Sequence, residues 1–164
     1  KKRSKKVKML QSEIAKVLND KFNGIVLEEQ KGAIVIKREL LLDAAKFLKD
    51  GELAFDNLHC ISGVDRKDRI EVVYIFYSFA RKLTLTLKIF APMDDLTVES
   101  LALLCMSADW LERETYDFYG IKFLNHPDLR RIMNPDSWTD FPLRKDFARA
   151  DFIKKPQTLG LKGV

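Results

Sequence analysis

The chain has 164 residues, 46% of them hydrophobic and 32% charged, with a formal net charge of +5. That length suits one domain with a tail, and the apolar share is enough for a packed core. No apolar run approaches the roughly 20 residues of a membrane-spanning helix, and the basic N-terminus is not followed by the apolar segment of a signal peptide.

The charge is unevenly placed. Residues 1–8 carry six Lys/Arg and no acid, residues 144–164 have a net charge of +4, and residues 9–143 sum to −5. An acidic middle argues against a nucleic-acid binder, whose usual footprint is a domain-wide basic stripe. The basic ends read as solvated tails, with acidic partners, lipid headgroups or RNA as the other readings. The two cysteines, Cys60 and Cys105, and the two histidines, His59 and His126, form no C-x-x-C or H-x-x-x-H. A zinc or iron–sulfur site within the chain is not expected, and the thiols point to apolar packing in a reducing, cytoplasmic compartment.

In chain order, residues 1–6 are a basic run expected to be mobile. Val7, Leu10, Ile14, Val17 and Leu18 have helical spacing up to about Phe22, and Asn23-Gly24 is a helix stop. Ile25–Leu27 and Ala33–Ile36 read as a hairpin. Glu39–Lys49 is a second amphipathic helix, stopped by Asp50-Gly51. Three strands follow: Phe55 to about Ser62, Arg69–Ser78 and Leu83–Ile89, with Gly63–Asp68 as a polar turn. The second of them is apolar on both faces, as a central strand is, and the third alternates, so one of its faces is wet. Beyond the break at Pro92–Asp95, an acid or Thr97 caps a last helix that runs to about Tyr119, divided near Ser107, and Gly120 ends it. The order α-β-β-α-β-β-β-α gives an α+β domain over residues 7–120, with one mixed or antiparallel sheet and helices on one face. Residues 121–164 read as an extended, partner-binding tail.

The densest stretch is S-A-D-W-L-E-R-E-T-Y-D-F-Y-G-I-K-F-L-N-H-P-D-L-R-R-I-M, followed by F-P-L-R-K-D-F. Charges of both signs alternate with large apolar residues, and buried charges must be paired or hydrogen-bonded. Glu112, Arg113, Glu114 and Asp117 are expected to brace the last helix. Asp128, Arg130 and Arg131 are expected to pair across to it or to a neighbouring subunit, and Arg144, Lys145 and Asp146 to pin the tail to that neighbour. Arg113 and Asp117 are also i, i+4 neighbours, in the less favoured orientation of that pair. Glu112 and Glu114 point about 200° apart on a helix, so one metal ion cannot take both. His126-Pro127-Asp128 matches the tripeptide of J-domain co-chaperones but lacks its loop between two antiparallel helices. His126 with Asp128 as an acid/base pair in a soluble enzyme is the alternative reading, although no nucleophile or oxyanion turn surrounds them.

This stretch resembles the signature of the 30 kDa subunit of respiratory complex I. That family's E-R-E, Y-D-x-[FY]-G-I, H-P-D-L-R-R-I and P-L-R-K-D-[FY] stand here as Glu112–Glu114, Tyr116–Ile121, His126–Ile132 and Pro142–Phe147. The resemblance covers about Val7–Phe147. It implies a non-catalytic, peripheral subunit at the cytoplasmic face of the membrane, part of an ion-pumping redox complex. Such a subunit docks on a large 49 kDa-type subunit beside its quinone or metal site, together with a small iron–sulfur subunit. The implied cofactors, iron–sulfur clusters and in the hydrogenase relatives a [NiFe] centre, lie in those partners and not in this chain. Many complex I members carry a Gly-rich G-F-x-G before P-L-R-K-D, whereas this chain has Asp136-Ser137-Trp138-Thr139-Asp140. That departure, with a short tail, leans toward a membrane-bound hydrogenase or archaeal-type relative.

Overall fold

A computed structural model describes residues 2–147, with side chains from residue 11 onward. Residues 148–164, the end of the expected tail, lie outside the described residues. Helix α1 spans Lys2–Phe22 and so begins ahead of Val7. Nothing in the basic run breaks a helix, because Lys and Arg are good helix formers. Its apolar stripe buries Ile14, Ala15 and Leu18. Asn23 and Gly24 end it with φ of +49° and +83°.

Strands β1 (Val26–Gln30) and β2 (Ala33–Ile36) form the expected hairpin, and a 3-10 turn at Arg38–Leu40 leads into α2 (Leu41–Asp50). Strands β3 (Asn57–Asp65), β4 (Arg69–Ser78) and β5 (Leu83–Pro92) complete a five-stranded sheet in the order β1-β2-β5-β4-β3. The β2–β5 pair is parallel and the other pairs are antiparallel, so the sheet is mixed. Strand β3 runs three residues beyond Ser62, through Gly63 and Val64 to Asp65, because these residues pair with Val72, Glu71 and Ile70 across the ladder. The polar turn shrinks to Arg66–Asp68.

One face of the sheet carries the core. Ile70, Val72, Tyr74 and Phe76 of β4 lie beside Leu85, Leu87, Ile89 and Ala91 of β5, all buried and packed with residues of all three helices. On the opposite face Val73, Ile75 and Tyr77 are half-buried, and β4 is an interior strand, paired with β5 on one side and β3 on the other.

The last helix differs from expectation. Thr97–Glu99 is not helical but a short strand, β6, in parallel register with β7 (Lys122–Leu124), and α3 occupies only Met106–Tyr119. The β6–α3–β7 unit is a compact crossover forming a second, two-stranded sheet. Two features explain the late helix start: β-branched Thr97 and Val98 favour a strand, and the Leu101 N–H is taken by a helix side chain, Glu112, instead of a helical carbonyl. Cys60 and Cys105 are both free.

The close approach of α3 to β3 depends on Gly63. A Cβ there would lie 2.6 Å from the Tyr119 ring. Gly63→Val is therefore expected to push the end of α3 off the sheet and to destabilise the chain by about 1–3 kcal/mol, as overpacking does. Thermal or urea unfolding of the variant checks this.

Candidate functional site

The charged stretch converges on the two ends of α3. Its C-terminal end is the more heavily bonded. A helix leaves four carbonyls without intrahelical partners, and all four are met here. Gly120, in the left-handed region at φ +74°, donates its N–H to Tyr116 O. Arg131 donates to Asp117 O at 3.0 Å, Leu143 N–H to Phe118 O at 3.2 Å, and Arg144 Nε to Tyr119 O at 2.6 Å. Two separate segments of the tail therefore cap this helix.

The Asp117 side chain, fully buried, binds the first of those segments. Its Oδ2 accepts the N–H groups of Ile132, Met133 and Asn134 at 3.0, 2.7 and 2.9 Å. Its Oδ1 accepts Arg131 Nη1 at 2.7 Å and Asn134 Nδ2 at 3.0 Å. Burial alone would raise this carboxyl. The hydrogen bonds from Asn134, Met133 and Arg131 outweigh it and hold the group far below the usual carboxylate range. Arg131 also donates to Asp140 O at 3.0 Å and lies over the Phe141 ring.

The second segment, P-L-R-K-D, is fastened by its backbone and by Arg144. The Arg144 guanidinium stacks on Phe141 with its carbon 4.5 Å from the ring centroid. The Lys145 N–H donates to Asp65 Oδ2 at 2.7 Å, a bond across 80 residues of sequence. The expectation for Arg144–Asp146 therefore divides within this chain. Arg144 turns inward, while the side chains of Lys145 and Asp146 stand exposed and Pro142 is half-buried.

Near the N-terminal end of α3 lies a buried polar cluster. Glu112 is fully buried, and its oxygens accept the Ser100 hydroxyl at 2.6 Å and the Leu101 N–H at 2.7 Å. Burial raises its pKa to about 7, with the nearby Asp109 and Glu99 carboxylates acting in the same direction. The His126 ring is also buried. Nε2 lies 3.9 Å from Glu112 Oε2 and hydrogen-bonds the Asp109 carbonyl at 3.1 Å. Nδ1 accepts the Asp128 N–H at 3.0 Å. An accepting Nδ1 carries no hydrogen, which leaves Nε2 as the donor to the Asp109 carbonyl. The buried Tyr74 hydroxyl, beside Glu112, has no hydrogen-bond partner among the described residues, and burial followed by that carboxylate holds its pKa well above the ordinary value.

Arg113 does not pair with Asp117, its i, i+4 neighbour, because Asp117 is taken by Arg131. It reaches Asp128 at 3.6 Å and lies over the Trp110 ring. Asp128 also pairs with Arg130 at 2.9 Å, and both of those side chains are substantially exposed, as is Pro127. Glu114 is exposed and makes no ion pair among the described residues, so the bracing expected of it is not made there. Its position opposite buried Glu112 follows the angular spacing. Sequence reasoning missed Asp65, Ser100, Asp109 and Asn134. Asp65 and Ser100 lie outside the charge-dense stretch, and Asp109 and Asn134 carried no pairing signal. Among the described residues no group of three His, Cys, Asp or Glu is placed to hold a metal ion, and no helix is long and apolar enough to cross a membrane.

The profile of the family described as "Respiratory-chain NADH dehydrogenase, 30 Kd subunit" matches residues 34–152. The NADH-quinone oxidoreductase C-subunit of Chloroherpeton thalassium is 49% identical over 106 residues, 63% of this chain and 44% of that one. The protein of the same name from Geobacter sulfurreducens is 38% identical over 138 residues, 79% of this chain and 85% of that one. The F(420)H(2) dehydrogenase C-subunit of Methanosarcina mazei is 39% identical over 115 residues, covering 68% and 72%. Among solved structures, a trypsin-resistant fragment of Nqo5 superposes with a TM-score of 0.59 at 28% identity, covering 71% of this chain and 98% of the fragment. A chain of an archaeal respiratory membrane complex, the membrane-bound sulfane sulfur reductase, superposes with a TM-score of 0.69 at 21% identity, covering 85% and 86%, and so shares the fold.

The raised pKa of Glu112 has a direct consequence for stability. Between the ordinary value of 4.5 and about 7 the folded chain holds a proton that the unfolded chain has lost. Stability from this group is full below 4.5, falls as pH rises through that window, and levels off above about 7. Glu112→Gln is expected to flatten the dependence and to narrow the gap between about pH 5 and about pH 8, as read by urea unfolding at both.

Proposed function

The chain belongs to the family of the 30 kDa subunit of the respiratory-chain NADH dehydrogenase, and from that premise we propose that it is a non-catalytic subunit of the peripheral arm of a membrane-bound, ion-pumping redox complex. It docks on the large 49 kDa-type subunit and supports the quinone or metal site there. The iron–sulfur clusters, and in a hydrogenase-type complex the [NiFe] centre, belong to that subunit and its small iron–sulfur neighbour. The chain sits at the cytoplasmic face of the membrane without entering it. A membrane-bound hydrogenase or archaeal-type complex is favoured by the missing glycines before Pro142, and a relative at 39% identity is the archaeal F(420)H(2) dehydrogenase protein.

The observation that carries this reading is the double capping of α3 by the tail. It consumes the buried charges of the signature internally and leaves a rim of outward groups on hydrogen-bonded segments. Met133 is 65% exposed and Leu143 51%, with Arg130, Lys145 and Asp146 beside them in sequence and exposed as well. Exposed apolar and Arg side chains on an ordered backbone are what subunit interfaces use.

The acid/base alternative has less support. The His126 ring is out of solvent, both of its nitrogens are engaged with backbone groups, and the Asp128 carboxylate is held between Arg113 and Arg130. A general base needs a free nitrogen within reach of substrate.

Recovery of a tagged chain from its native membranes in mild detergent, with mass spectrometry of what accompanies it, tests the docking. A large redox subunit and iron–sulfur proteins are expected alongside it. Arg131→Ala leaves the buried Asp117 charge without its cation, a loss of about 3–5 kcal/mol. This variant is expected to be depleted from the complex. Normal assembly combined with lost turnover of an isolated substrate would overturn the scaffold role.

A further inference from the structure

We propose that Asp65, outside the signature and far upstream of Arg144 in sequence, is a positioning residue that sets the P-L-R-K-D segment in the geometry used for docking. The inference rests on the docking reading above and assigns one residue to it. Asp65 ends β3, is 7% exposed, and uses its two oxygens for different tasks. Oδ1 accepts the Lys67 N–H at 2.6 Å and closes the β3–β4 turn, where Lys67 adopts a φ of +78°. Oδ2 accepts the Lys145 N–H at 2.7 Å and holds the tail. One carboxylate thus ties a hairpin turn of the sheet to the tail.

Energetically this is a strong arrangement. Burial pushes the Asp65 carboxyl up, and the N–H groups of Lys145 and Lys67, with the Lys145 and Arg144 charges, more than reverse it, so the group stays ionised. A backbone N–H donating to a buried carboxylate is worth more than a neutral hydrogen bond. It is also a backbone contact, so it places Lys145 whatever its side chain does. The neighbouring bonds reinforce the alignment: Leu143 N–H reaches Phe118 O, Arg144 Nε reaches Tyr119 O, and the Tyr119 ring lies on Gly63, two residues before Asp65. A hollow of about 240 Å³ results, lined by Asp65, Lys67, Met93, Lys145 and Asp146. Its walls come from the turn, the segment just after β5 and the tail together, so the surface exists only while the tail is fastened.

The test uses the full chain in two states. In the purified chain, amide hydrogen exchange at Lys145 and its neighbours is compared between wild type and Asp65→Ala. In native membranes, recovery of the large subunit by the same tagged chains is measured across detergent-solubilised protein concentrations. Asp65→Ala is expected to accelerate exchange at Lys145 by roughly ten- to a hundred-fold and to weaken capture of the large subunit by a similar factor. Amides of β4 and β5 should remain protected. Lys145→Pro removes the same bond from the tail side and is expected to reproduce the loss of capture if the Asp65 variant does not fold. Lys145→Ala keeps the N–H and is expected to keep the tail closed. Unchanged exchange at Lys145 in Asp65→Ala would overturn the fastening. Faster exchange with undiminished capture would overturn the positioning role while leaving the docking reading intact. Failure of the wild-type chain to recover any large subunit would instead overturn the docking reading itself.

Discussion

The structure depends on a carboxylate placed where helix electrostatics disfavour it. Asp117 lies in the last turn of α3, a turn with no basic residue, close to the negative end of the helix dipole. It is buried there as well. Both conditions would drive the group toward protonation. Its three backbone N–H donors, Asn134 and Arg131 reverse that, and in doing so they fix residues 131–134 against the helix. Arg131 then also serves the Asp117 carbonyl, so one side chain neutralises the acid and caps the helix. Because Asp117 is satisfied only when the tail is in place, helix end and tail form as one unit.

The same device recurs. Glu112 holds the Ser100–Leu101 bend, and Asp65 holds both the β3–β4 turn and Lys145. In each case a buried acid takes the N–H groups of an irregular segment that has no sheet or helix to satisfy them. Buried backbone donors must be paired, and a chain with long irregular stretches needs side chains to do it. The consequences for titration differ. Asp117 and Asp65 have enough donors to remain ionised, whereas Glu112 has only a hydroxyl and one N–H, with two other carboxylates nearby, and its pKa rises to about 7.

Much of this fold was legible. The hydrophobic periods gave α1, the hairpin, α2 and the three long strands, because each of these buries one stripe or one face on the common core. What escaped was local sequence whose conformation is decided at a distance. Thr97–Glu99 looks like the start of a helix until β7 and the Glu112 carboxylate are present to claim its neighbourhood. Gly63 looks like a turn residue, yet it is a strand residue made small for Tyr119. Within the charged stretch, sequence spacing indicated that the charges pair but not with whom. Arg113 and Asp117 are a turn apart, yet each bonds to a residue beyond Gly120. Asp65 gave no signal at all, since nothing in a single sequence connects it to Lys145.

The charges of this stretch therefore divide between the inside of the molecule and its surface. Glu112, Arg113, Asp117 and Arg131 are removed from solvent or nearly so, while Arg130, Met133, Leu143, Lys145 and Asp146 are turned outward from segments those residues immobilise. This division has an energetic rationale. A tail that must be ordered during association costs about 0.5–1.5 kcal/mol for each flexible side chain immobilised, besides its backbone entropy. When the ordering is completed within the chain by buried carboxylates, that cost is met on folding, and a partner docking as proposed above would meet a surface already in shape. On the docking reading, a substitution at a buried charge would then weaken association without touching any contact residue, through the geometry that the charge enforces.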